Sequence, residues 1–246
     1  MASPLAQFEI KNIIPISVLG HDISFTNSSL AMLITVILIT AFMYFGIKNL
    51  SLIPSKMQAL VETSYEFISS MINDNIGKEG INYLSFVFTL FLFILIGNLL
   101  GMFPYSFTWT SHIIVTFAIA FFIFLGATVV AIYKHGFLKF VKFFAPSGVP
   151  KAMLILLVPI EIISYLSRPI SLSVRLFANM MAGHTLLKVI GGFVFVLGAN
   201  SYIIGGALPL AFLVALTGLE IVIAFLQAYV FAILTCLYIN DAIHLH

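Results

Sequence analysis

Apolar residues run almost unbroken over 30–47, 84–103, 113–133, 152–167, 176–199 and 207–239, and most charged side chains fall between these stretches. The first three runs approach the roughly 20 residues that carry a helix across about 30 Å of hydrocarbon. They lack the alternation of barrel strands, and a lone segment in lipid satisfies its backbone amides only as a helix. The second run holds Gly97 and Gly101 at a small-xxx-small spacing, a surface suited to close packing of another helix. The stretch 54–75 reads differently. Met57, Leu60, Val61, Ser64, Phe67, Ile68, Met71 and Ile72 recur every three or four residues, with Lys56, Glu62, Glu66, Asn73 and Asp74 mostly on the other side. With Pro54 as its opening residue, this pattern predicts an amphipathic helix lying on the membrane surface.

Two regions exceed a simple span. Residues 207–239, 33 in all, make a helix of about 50 Å against about 30 Å of hydrocarbon, which calls for a bend or a steep tilt. Region 151–199 allows two upright spans with a break near Arg168-Pro169, or one long helix softened by Pro159 and Pro169. The spacing leaves both open.

Composition removes the soluble alternatives. The chain is 61% hydrophobic and 14% aromatic, and only 8% of it is Asp, Glu, Lys or Arg, against roughly 25% in a soluble domain. Twenty charged side chains (11 basic plus 9 acidic) cannot cover a soluble fold of 246 residues without apolar patches larger than a monomer tolerates. A net charge of +2 without a basic patch points away from nucleic acid. Cys236, the single cysteine, allows no internal disulfide. Residues 1–29 carry Pro4, Glu9, Lys11, Pro15 and Asp22 with no apolar core, so no cleavable signal peptide is expected. The Asn27-Ser28-Ser29 sequon is too short a match to carry weight.

Loop charge predicts orientation. Lys48, Lys56, Lys78, Lys134, Lys139, Lys142 and Lys151 flank one set of loops, whereas 105–112 and 200–206 hold no Lys or Arg. The lysine-rich side then faces the cytoplasm or matrix, with the N-terminus outside and residues 240–246 inside.

Polar residues interrupt the last hundred positions: Glu161, Arg168, Arg175, His184, Lys188, Glu220 and Asp241. Each costs at least about 2.5–3.5 kcal/mol if charged and unpaired at mid-membrane, so they imply a polar path. Glu161, Arg168 and Arg175 are spaced by seven, two helical turns, with Ser171 and Asn179 one turn either side of Arg175. Glu220, Gln227 and Asp241 form a second stripe. Two helices with these stripes turned inward would hold a chain of exchangeable protons. Plainer roles compete: Glu161 neutralising Arg168, Lys188 snorkelling to an interface, Asp241 as a solvated helix end, Gln227 and His184 as interhelical hydrogen-bonders. Glu220, among Leu, Ile and Val with no cation within a turn, resists such a reading. So does Arg175, whose guanidinium stays charged.

The segment Ser171-Leu172-Ser173-Val174-Arg175-Leu176-Phe177-Ala178-Asn179-Met180-Met181-Ala182-Gly183-His184 closely resembles the signature of subunit a of F-type ATP synthases, of the alphaproteobacterial and mitochondrial type. The resemblance extends to Asn98-Leu99-Leu100-Gly101-Met102-Phe103-Pro104-Tyr105-Ser106-Phe107-Thr108, to residues 220–231 and to 238–246. It implies an all-α membrane protein forming one polytopic domain. An outer segment 1–29 would lead to an upright transmembrane helix, 30–50, followed by the surface helix, 54–75. A transmembrane hairpin, 83–104 and 112–134, would precede two long, strongly tilted helices, 150–198 and 206–241. The expected partners are a ring of subunit c, peripheral-stalk subunit b and other synthase subunits, in a bacterial or mitochondrial inner membrane. No cofactor or metal is expected, and nucleotide chemistry belongs to other chains, since no phosphate-binding glycine loop occurs.

The same resemblance implies residue roles. Arg175 matches the essential arginine, with Asn179, Gln227 and Ser171 as polar neighbours. Glu161 matches an acid of the inner half-channel, and His184 with Glu220 the pair of the outer one. A secondary transporter or ion channel is the alternative reading, although no internal repeat supports it.

Overall fold

A computed structural model describes residues 8–15, 17–18, 21–22, 24–48, 50–103, 106–144, 150–200 and 202–244. Pro4, the Pro104-Tyr105 pair of the Asn98–Thr108 segment, Leu245 and His246 lie outside the described residues. Among those described, the apolar runs are helical: α1 (Asn27–Ile47), α2 (Lys56–Asn75), α3 (Leu84–Gly101), α4 (Ile113–His135), α5 (Phe137–Phe143), α6 (Lys151–Asn200) and α7 (Tyr202–Ile243). Five helices are long and apolar enough to cross a membrane. The chain is an all-α membrane protein. Two short antiparallel strand pairs precede α1, β1 (Asn12–Ile14) with β4 (Phe25–Thr26) and β2 (Ser17–Val18) with β3 (His21–Asp22). The apolar pattern gave no sign of them. Asn27 closes the outer pair, its Nδ2 donating to the Glu9 carbonyl at 3.0 Å and its Oδ1 accepting from Lys11 N at 3.2 Å.

Local chemistry sets the helix starts. Thr26 and Ser55 are extended N-caps whose hydroxyls accept from Ser29 N and Gln58 N. Ser55, rather than Pro54, therefore opens α2, because its side-chain oxygen satisfies an amide that proline cannot. The buried face of α2 (Val61, Ile68, Met71, Ile72) packs toward α1, α3 and α7.

Region 151–199 is one continuous helix. Pro159 and Pro169 both lie inside α6, whose 50 residues amount to about 75 Å of rise. Each proline removes one ladder bond. Packing along α7 supplies what the ladder loses: Leu172, Leu176 and Met180 of α6 share a core with Ala224, Ala228, Phe231, Ala232, Cys236 and Ile239 of α7. The small residues of α7, Ala224, Ala228, Ala232 and Cys236, recur every four positions, which lets the backbones approach closely. At the far end the pair narrows further, and a Cβ built on Gly206 would lie 3.2 Å from Gly198 Cα. Both α3 and α4 rest on α7, and α4 also packs on α6. Burial is uneven. In the most apolar window of each span, 56% of α3 with its preceding turn lies inside the protein, but only 11% of α6 and 11% of α7. The long pair is braced on one side and open on the other.

Candidate functional site

His184 and Glu220 meet where α6 crosses α7. They are 6% and 4% exposed, and His184 Nδ1 lies 3.3 Å from Glu220 Oε1. The distance is that of an ion pair, but neither carboxylate oxygen accepts a hydrogen bond. On the other side of the imidazole, Nε2 lies 3.4 Å from the Thr108 hydroxyl. Asn98 of α3 is fully buried and its Nδ2 donates to the Ala224 carbonyl at 3.3 Å, one turn beyond Glu220, while its Oδ1 has no hydrogen-bond partner. A buried carboxylate with so little compensation is costly, and such groups inside a span mark ion pathways.

Glycines make this arrangement possible. A Cβ on Gly183 would stand 2.8 Å from Glu220 Oε1, so only hydrogen leaves room for the carboxylate. Gly101 leaves room for Thr108 in the same way, and Gly97 for the Trp109 ring. The Gly97–Gly101 stripe was expected to receive another helix; it receives the returning segment Thr108–Ser111 instead. The reason is local. The 3-10 turn Trp109–Ser111 folds the chain back onto α3, where Trp109 stacks near Phe93 at 4.7 Å and donates from Nε1 to Thr35 Oγ1 at 3.3 Å. That anchor carries Thr108 to His184.

A cavity of about 800 Å³ opens onto His184, walled also by Leu187 and Lys188 of α6, Leu213 and Thr217 of α7, Phe107, and Glu9 and Lys11 of the N-terminal segment; Glu220 lies behind the imidazole, outside its lining. The Phe8 ring lies 6.4 Å from that of His184, and Lys188 Nζ sits 5.8 Å above Phe8. Lys188 thus lines the cavity.

The second group of expected residues lies elsewhere. Ser171, Arg175 and Asn179 are exposed along one stripe of α6, while Leu172, Ser173, Leu176 and Met180 are buried on the flank beside it. Nine residues separate Arg175 from His184, two and a half turns, which places them on opposite faces of the helix. Arg175 and His184 therefore do not share one face of α6, although the two stripes do meet where Arg168 reaches Asp241. Glu161 and Gln227 are half-buried. Arg168 is not neutralised by Glu161: its Nη1 donates to Asp241 Oδ2 at 2.6 Å. Asp241 comes across from α7 at the same level, whereas Glu161 is two turns away along α6. Asp241 stands in the last turn of α7 with its side chain 44% exposed, so it is at once a solvated helix end and the partner of Arg168. Thr108, Gly183 and Asp241 had stood outside the expected site. For Gly183 the signal was its place beside His184. Among the described residues no group of three or more His, Cys, Asp or Glu is placed to hold a metal.

Five membrane-length helices, with an imidazole–carboxylate contact buried between the two longest, define a polytopic membrane protein. The family model for the ATP synthase A chain matches residues 29–240, and the chain belongs to that family. Among its relatives, ATP synthase subunit a of Pelagibacter ubique is 60% identical over 245 residues, covering 99% of this chain and 98% of that one. That of Allorhizobium ampelinum is 57% identical over 243 residues, covering 98% and 97%. That of Rhodospirillum rubrum is 54% identical over 246 residues, covering 100% of both.

Proposed function

We propose that the chain is the stationary, non-catalytic proton-translocating subunit of an F-type ATP synthase, working against a ring of subunit c in an inner membrane. A proton from the outer space crosses the 800 Å³ cavity, passes His184 and Glu220, and neutralises a ring carboxylate. The neutral carboxylate then faces lipid while the ring turns. It releases its proton into an inner half-channel at Glu161. Arg175, flanked by Ser171 and Asn179 with Gln227 nearby, separates the two routes, attracting the ionised ring carboxylate and blocking a direct leak because it does not readily deprotonate. An electrical gradient contributes about 2.3 kcal/mol per charge per 100 mV.

The observation that carries this reading is the division of α6 into two faces, with His184 between an open cavity and the buried Glu220 on one and a permanent cation on the uncovered other. Val174 and Leu186 are 42% and 48% exposed on α6, as expected of a surface completed by an apolar partner. Helices of about 75 and 63 Å fit a 30 Å core only if steeply tilted or bent, which would lay α6 and α7 obliquely along the ring. The lysine distribution supports an outer N-terminus and an inner C-terminus, and peripheral-stalk subunit b is the expected neighbour of the remaining helices.

ATP-driven proton uptake by vesicles holding the assembled complex tests this. Arg175→Ala is expected to abolish uptake at an unchanged amount of complex. Uptake equal to that of the unaltered complex would rule the rotary reading out, as a secondary transporter or channel has no need of a cation against a ring.

A further inference from the structure

The Arg168–Asp241 contact has a construction that the proton route does not explain. The guanidinium lies 5.5 Å from the centroid of Tyr165, on its own helix, and 5.5 Å from that of Tyr238, on α7. It is thus held between two phenol rings while it donates to Asp241 at 2.6 Å. The Tyr165 hydroxyl is in turn 2.7 Å from Thr128 Oγ1 of α4, and its ring packs against Phe124 of α4 and Phe140 of α5, at 4.8 and 6.1 Å. A cavity of only about 20 Å³ remains among these side chains. Four helices meet at one ion pair.

The location matters as much as the chemistry. Pro169 lies inside α6 directly after Arg168, and its ring crowds the carbonyl of Tyr165 while removing a ladder bond. One of the two proline-weakened points of α6 thus lies where the helix is tied across to α4, α5 and α7. Arg175 stands seven residues beyond this tie and nine before His184, so its pose depends on how α6 is held at both ends of that interval. The His184–Glu220 contact cannot serve as a fixed fastener if its groups exchange protons. Arg168 keeps its charge, and cation–π contact with two rings adds attraction that survives partial burial.

We propose that Arg168 and Asp241, gripped by Tyr165 and Tyr238, are positioning residues that lock the rotation and register of α6 on α7 and so hold Arg175 at its working position. The proposal rests on the proton-translocating reading given above.

The test compares Arg168→Gln, Asp241→Asn and the reversed pair (Arg168→Asp with Asp241→Arg) in vesicles containing the full complex, reading ATP-driven proton uptake, passive proton leak and the amount of complex. Each single change is expected to lower uptake by roughly tenfold, as for loss of a strongly coupled contact pair, and to raise leak. The reversed pair is expected to restore at least half of the lost uptake, and Arg168→Lys to be milder than Arg168→Gln. If the single variants fail to assemble, recovery of assembly and uptake by the reversed pair supports the lock equally. Normal uptake in both single variants, or a reversed pair that restores neither assembly nor uptake, overturns it. Arg175→Ala in the same vesicles separates the two ideas: uptake retained there defeats the rotary reading, whereas uptake lost there but normal in the Arg168 and Asp241 variants defeats the lock alone.

Discussion

Gly183 and Glu220 share one space between α6 and α7: a Cβ on the glycine would lie 2.8 Å from Oε1 and 3.3 Å from Cδ of the carboxylate. The atoms in the way are the far end of a flexible side chain, so a methyl group there would move the carboxylate rather than unfold the pair. Alanine also favours a helix over glycine by about 1 kcal/mol. Gly183→Ala is therefore expected to leave the amount of complex unchanged and to cut ATP-driven proton uptake on the order of ten- to a hundredfold, the cost of a misplaced reacting group. Uptake within a factor of two of normal would show that the close approach has no functional weight.

Thr108 offers His184 a hydroxyl at 3.4 Å and also donates to the Gly101 carbonyl at 3.3 Å. Thr108→Val keeps the shape and removes both. Loss of one such bond is worth about 1 kcal/mol, so uptake should fall about fivefold, with Thr108→Ser close to normal. Equal uptake in the valine and serine variants would dismiss the hydroxyl.

Trp109 is 0% exposed and joins α3 to α1 through Phe93 and Thr35. Trp109→Ala should destabilise the chain by about 3–5 kcal/mol, read as a lower midpoint of heat unfolding in detergent. Gly97→Val should do the same from the opposite side, since its side chain would occupy the indole's place. A midpoint unchanged in both would contradict the anchor.

His112 stacks on Phe107 with centroids 5.0 Å apart, and its Nε2 is buried without a hydrogen-bond partner. Burial holds its pKa below the ordinary histidine value. The unfolded chain then binds the proton more readily than the folded one, so stability is complete above about pH 6.5 and declines as pH falls from there toward the folded value. Between pH 7.5 and 5.5 the unfolding midpoint of the unaltered protein should drop further than that of His112→Gln. Parallel curves would count against His112 as a source of acid sensitivity.

Much of the helical framework is legible in the chain because lipid permits few solutions. Runs such as 30–47 and 113–133 have no alternative to a helix, and α2 shows its buried stripe directly. The continuity of α6 is a different matter. Pro159 and Pro169 permit a break, and what decides is a register with α7 that depends on residues some 35 to 75 positions away. For the same reason Asp241, 73 residues away, could not be named as the partner of Arg168. Gly97 and Gly101 announced a close approach but not its partner, since a small-residue stripe accepts a helix or a returning turn equally well. Arg175 stood out by its chemistry. Its place on the far side of α6 from His184 follows from counting turns, whereas which stripe residues meet across the two helices depends on their register.

The bracing of α6 and α7 from behind has a mechanical meaning. Leu172, Leu176 and Met180 share one core with Ala224, Ala228 and Phe231 of α7 and Phe88 and Phe91 of α3, and α7 rests on α3. Lipid flows and cannot resist a sustained sideways push, but close-packed side chains can. Thrust delivered at the open face by a turning neighbour would pass through this stack as compression into the remaining helices, leaving the stationary part still while the other moves.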